Sequence, residues 1–140
     1  RDVAGLEIVN AVELQLHGQL GVFEGLHKEE IFGPRFAALF RRLSRDAEEP
    51  TPFGRALARS LTILRDTLRL YGPERVVASF NGGKDAVVIL HLSLAALAAH
   101  NEATGGDARL RVIFFETDDE FPEIDAFVRE TVERSRLELV

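Results

Sequence analysis

The sequence predicts an α/β protein built on a doubly wound parallel sheet, with a helical extension in front of it. Three observations predict this. Residues 75–80 form a short, continuously apolar run that breaks at Gly82-Gly83 and passes straight into a long apolar helix. A second apolar run at 110–115 is followed by an amphipathic stretch at 122–135. A third run opens at Leu137-Glu138-Leu139-Val140. Strands that alternate with helices in this way are the pattern of right-handed parallel crossovers. Apolar runs without polar alternation are expected of strands buried on both faces.

The elements follow in order. Residues 1–52 read as a helical extension ending in a loop, and residues 53–140 as the first part of the α/β domain. In the extension, Leu6, Val9, Val12, Leu16, Leu20 and Phe23 recur at helical spacing, although five glycines within residues 1–35 weaken any helix there. Pro34 punctuates it, and Phe36, Leu39, Phe40 and Leu43 make a short amphipathic helix over 36–43. The polar stretch 44–52 is a solvated loop. Leu57, Leu61, Leu64 and Leu68 fall on one face of a helix over about 53–71, stopped by Gly72-Pro73. The helix over about 85–100 is apolar nearly all round, as a central helix would be. In the helix over 122–135, Ile124, Phe127, Val128 and Val132 are expected to face inward.

Composition narrows the function. The 140 residues carry a net charge of −6, and such acidity argues against general nucleic-acid binding. There is no cysteine, which removes disulfides and thiol chemistry from these residues. No apolar stretch longer than 18 residues is free of charged or polar breaks, so no membrane span is expected. The chain starts at Arg1, contains no methionine and stops where a strand has just begun, so it is expected to be a fragment.

The chemistry concentrates in Ser79-Phe80-Asn81-Gly82-Gly83-Lys84-Asp85-Ala86. Glycines let the backbone approach a ligand without a Cβ in the way. The helix behind them aims unpaired N–H groups and a partial positive charge into the turn. Lys84 is one of only two lysines in the chain, against fifteen arginines. It adds a full charge, and Asp85 adds a carboxylate able to hold a metal. These are the parts of a pyrophosphate cradle. The spacing is not that of the G-x-x-x-x-G-K-[ST] loop, because the glycines are adjacent and an acid follows the lysine. It is not G-x-G-x-x-G either.

Ser79–Asp85 resembles the pyrophosphate loop of the N-type ATP pyrophosphatases (the PP-loop enzymes). Read together with 60–71, 114–120 and Phe121-Pro122-Glu123-Ile124-Asp125-Ala126-Phe127-Val128, it resembles the eukaryotic-type FAD synthases, whose fold is PAPS-reductase-like. The resemblance covers roughly residues 36–140, the N-terminal half of such an enzyme, and departs from the family at Ala86, where a small thiol or hydroxyl residue is usual. It implies AMP transfer from ATP to FMN, giving FAD and pyrophosphate. On that basis Lys84 and Asp85 would be catalytic. Ser79, Phe80, Asn81, Gly82, Gly83, Lys84 and Ala86 would line the phosphates, with Phe114 and Phe115 near the adenine. Asn81 and Asp85 would be oxygen ligands for Mg²⁺, and ATP and FMN the substrates.

Two other readings stay open at this stage. The loop could serve another PP-loop enzyme, a PAPS reductase, sulfurylase or tRNA-modifying type. Alternatively, the chain could be a non-catalytic subunit that keeps the fold. The expected partners are small-molecule nucleotides, without membrane or nucleic acid. Another chain, or the missing C-terminal half, is expected to cover the open sheet edge. The expected compartment is the cytoplasm, with mitochondrion and plastid left open.

Overall fold

In a computed structural model of the chain, residues 28–115 and 121–140 are described, the stretch 28–34 as helical backbone. The order is helix α1 (Lys28–Asp46), helix α2 (Pro52–Tyr71), a 3₁₀ turn (Pro73–Arg75), strand β1 (Val77–Ser79), helix α3 (Lys84–Thr104), strand β2 (Arg111–Ile113), helix α4 (Pro122–Arg134) and strand β3 (Glu138–Leu139). Residues 1–27 of the expected helical extension lie outside the described residues, as do residues 116–120 of the stretch 114–120.

Helix α3 is the axis of the molecule. Both α1 and α2 pack against it, and it also touches β1. Every residue from Leu92 to Ala98 is buried, so no polar face could be spared in this stretch. That explains its all-round apolar sequence. By length and hydropathy α3 could cross a bilayer, but half of that apolar window is buried inside the protein's own fold. Phe36, Leu39 and Leu43 from α1, Leu57 and Leu61 from α2, and Leu90, Leu94 and Leu97 from α3 share one core.

Helix α1 differs from its expected limits. It runs through Gly33-Pro34 instead of starting after them. A proline removes a single rung of the hydrogen-bond ladder. Burial of Phe36, Leu39 and Leu43 on the turns that follow outweighs that loss. Helix α2 matches its expected limits closely. The Thr51 side chain accepts a hydrogen bond from the Gly54 amide at 3.0 Å, and Pro52 follows in the first helical turn. At the other end Gly72 turns at φ +78° and its amide bonds to the Leu68 carbonyl.

The sheet is parallel, in the order β1-β2-β3. Val77, Ala78 and Ser79 pair with Arg111, Val112 and Ile113, and Arg111 and Val112 pair with Glu138 and Leu139. The buried first strand expected from its apolar run is corrected here. Among the described residues β1 is an edge, its Val77 is 44% exposed and its Ser79 is exposed. Continuous hydrophobicity shows that a strand can be buried on both faces, but it does not say which neighbours are present. β2, in the middle, has the buried Val112.

Within α3, His91 is a second consequence of the packing. Its Nδ1–H donates to the Val87 carbonyl at 2.8 Å, and its ring lies 6.1 Å from that of Phe36. Burial holds its pKa below the usual value; the Val87 bond acts the other way, and the Arg35 charge adds to the lowering. The unfolded chain takes up this proton near pH 6.5, and the folded one only at lower pH. Stability is therefore expected to fall as the pH drops below that point, by at most about 1.4 kcal/mol per unit for this group. Thermal unfolding of His91→Leu from pH 7.5 to 5 should show a shallower acid slope than the parent.

Candidate functional site

The parallel strands deliver their C-terminal ends to one rim, where ligands of such sheets bind. β1 ends at Ser79. The Phe80 amide still reaches the Ile113 carbonyl at 2.9 Å, so the chain leaves the sheet only after that residue. Asn81, Gly82 and Gly83 then make the corner into α3. Gly82 sits at φ +76°. A Cβ there would meet Ile124 and Phe127 of α4 at 3.5 and 3.7 Å, ordinary contact distances. Glycine is required by the backbone angle and not by lack of room. Gly82→Ala should therefore cost about 1–2 kcal/mol of stability, the price of a left-handed conformation, measurable by urea unfolding.

Gly83 is the N-cap of α3, with φ −74° and ψ 160°, and it carries no side chain to cap the helix. The amides of Lys84, Asp85 and Ala86 therefore point toward the rim without a capping side chain from that residue. Asn81, Gly83, Lys84 and Asp85 are exposed, and Gly82 and Ala86 are partly so. The corner is open, as a phosphate site must be. The two glycines are not sealed beneath other side chains.

The expected site residues divide into two groups. Asn81, Gly82, Gly83, Lys84, Asp85 and Ala86 are brought together at the corner. Phe80 is not on its surface. It is buried and packs against Phe127, with ring centres 6.3 Å apart, so it supports the turn from below. The Ser79 side chain lies on the exposed edge strand. Phe114 is half-buried against the core, whereas Phe115, at 72% exposure, stands free on the rim.

Asn81 shows a contact that the sequence could not give. Its Oδ1 accepts a hydrogen bond from the Gly83 amide at 2.9 Å. This is an Asx turn, and it engages the oxygen that was expected to face a metal. Phe127 lies elsewhere than expected. Expected to point inward, it is 43% exposed and lies across Gly82, while Val128 beside it takes the buried position. Helical periodicity placed both on one face and could not rank them.

Two concavities among the described residues lie elsewhere. One is at the opposite end of the strands, where Arg111 donates to the Glu74 carbonyl at 2.8 Å and pairs with Glu138 at 3.5 Å. The other is a groove lined by Phe40, Arg65 and Ala99 from the three packed helices. Neither contains the glycine corner, which lies on an open rim.

Comparison with known proteins bears on the fold. Residues 75–140 match the phosphoadenosine phosphosulfate reductase domain family. The chain is 35% identical over 86 residues to the "Probable FAD synthase" of Schizosaccharomyces pombe, a match covering 60% of this chain and 32% of that protein. The chain is similar to the FAD synthases. Its fold is also theirs. Yeast FAD synthetase, solved in complex with FAD, superposes with a TM-score of 0.55 at 23% identity, over 78% of this chain and 43% of that one. Candida glabrata FMN adenylyltransferase, solved with FMN and the ATP analogue AMPCPP, gives 0.54 at 24% identity, over 77% and 40%. The chain thus spans about a third of the curated relative and about two-fifths of each solved structure.

Proposed function

We propose that the chain is the ATP-binding part of an FMN adenylyltransferase, in which the glycine corner holds the triphosphate tail of ATP. The observation that carries this reading is the exposed start of α3 behind Gly82-Gly83, whose N-cap glycine brings no capping side chain, with Lys84 as its first residue. A phosphate oxygen of FMN attacks the α-phosphorus of ATP, the bond from that phosphorus to the bridging oxygen breaks, and pyrophosphate leaves. Transfers of this kind depend mainly on positioning and on neutralising charge. The amides of Lys84, Asp85 and Ala86 bind the β- and γ-phosphates. The Lys84 ammonium offsets the charge that builds on the departing pyrophosphate. Phe115 offers an exposed ring on the same rim for the adenine.

Mg²⁺ would supply further charge neutralisation across the phosphates. It favours one or two carboxylates together with phosphate oxygens. Asp85, in the first turn of α3, fits that requirement and is the residue assigned to hold it. Asn81, whose oxygen already accepts the Gly83 amide, fits less well. The edge of β1 that no described strand pairs is the surface assigned to pairing with chain beyond these residues or with another protein.

The experiment is an assay for FAD formed from FMN and ATP by a complete gene product containing this sequence. FAD and pyrophosphate should appear in equal amounts. Release of pyrophosphate with AMP delivered to another acceptor, and no FAD, would give the site to a different PP-loop chemistry.

A further inference from the structure

The Asx turn at the corner assigns Asn81 a role of its own. We infer that Asn81 is a positioning residue: its side chain takes up the Gly83 amide and thereby fixes the angle at which the amides of Lys84, Asp85 and Ala86 meet the phosphates. This deepens the ATP-binding reading and rests on it.

Four observations carry the inference. The Asn81 Oδ1 to Gly83 amide bond, at 2.9 Å, spans the one flexible residue of the corner, Gly82 at φ +76°. Glycine there is free to take many backbone angles, so something outside its own torsions must hold it. The Gly83 carbonyl already accepts the Val87 amide at 3.0 Å, so Gly83 is fixed to the helix on its far side. Asn81 fixes it on the near side. Finally, a Cβ added to Gly83 would come 3.0 Å from the same Asn81 oxygen, and the three nearest atoms it would meet all belong to the Asn81 side chain. Gly83 has an ordinary φ of −74°, which alanine adopts without strain. The glycine at position 83 is therefore explained by Asn81, whereas the glycine at 82 is explained by the backbone.

A carbonyl oxygen has two lone pairs, one of which the Gly83 amide takes. A positioning role and a metal-ligand role differ in what their removal does. Removal of a positioning group weakens binding of the whole phosphate tail by one factor. Removal of a ligand changes the amount of Mg²⁺ that binding requires.

The test is a double-mutant cycle on the chain with Asn81→Ala, Gly83→Ala and both together, read by calorimetry with MgATP well below the melting temperature of every variant. Each single change should weaken MgATP roughly five- to tenfold, the worth of one hydrogen bond. The double variant should bind within about twofold of the weaker single one, because both changes remove the same contact. The Mg²⁺ concentration that half-saturates ATP binding should be the same in Asn81→Ala as in the parent. In thermal unfolding, Gly83→Ala should lower the melting temperature of the parent. In the Asn81→Ala background it should leave the melting temperature unchanged or raise it, as Gly-to-Ala changes at compatible angles do. Additive losses in affinity, or a raised Mg²⁺ requirement in Asn81→Ala, would overturn the inference. A parent chain that binds no MgATP would remove the ATP reading and the positioning role with it, and the thermal cycle would still report whether the turn itself forms.

Discussion

Lys84→Ala is expected to weaken MgATP binding between roughly 10-fold and 100-fold, the range for losing a hydrogen bond to a charged group. Its melting temperature should stay where it is or rise slightly. The second half of this expectation makes the first informative. Lys84 is the opening residue of α3, where the helix dipole favours anions and disfavours a cation. Its side chain is exposed. A cation at this end of a helix costs stability, and an anionic ligand of the kind proposed would offset that cost. Calorimetry of the two proteins with MgATP, paired with their unfolding curves, checks both halves. Equal affinity for ATP would remove Lys84 from the site.

The largest effect on stability is expected from Leu94→Ala, about 2–5 kcal/mol. Leu94 has no exposed surface and lies midway along the stretch of α3 that is buried on every side. Helices α1 and α2 both rest on this helix, so a void at this point is poorly placed to be filled by one neighbour moving in. A fall in melting temperature on the order of 10 °C follows. Denaturant unfolding of the variant and the parent measures the loss. A loss below 1 kcal/mol in Leu94→Ala would mean that α3 is not the centre of the core.

Much of this arrangement is legible in the sequence because it is local. Leu57, Leu61 and Leu68 mark the buried face of α2 by their spacing alone, and Gly72 marks its end because the positive φ there suits glycine. The glycine corner is legible for the same reason. A strand, two glycines, a lysine and an acid are contiguous, and their placement on the rim follows from parallel pairing. What could not be read depends on residues distant in the chain or on competing local costs. The exposure of β1 follows from strand order, which no pattern within 75–80 contains. The continuity of α1 through Pro34 is a balance between one lost hydrogen bond and the burial of Phe36, Leu39 and Leu43. The lean of Phe127 over Gly82 joins positions 45 residues apart, and nothing in α4 distinguishes Phe127 from Val128 beforehand. The Asn81 contact is local, yet asparagine before a glycine pair is equally compatible with a metal ligand and with a turn. The structure shows the turn, through the bond from the Gly83 amide.

The central claim is that the exposed start of α3, behind the glycine corner, receives the phosphate tail of ATP. Titration of the labelled chain with magnesium pyrophosphate, followed through its backbone amide resonances, tests this most directly. The largest shifts should fall on Lys84, Asp85 and Ala86, and Lys84→Ala should suppress them. Shifts centred instead on Arg109 and Arg111, at the opposite end of the strands, would contradict it.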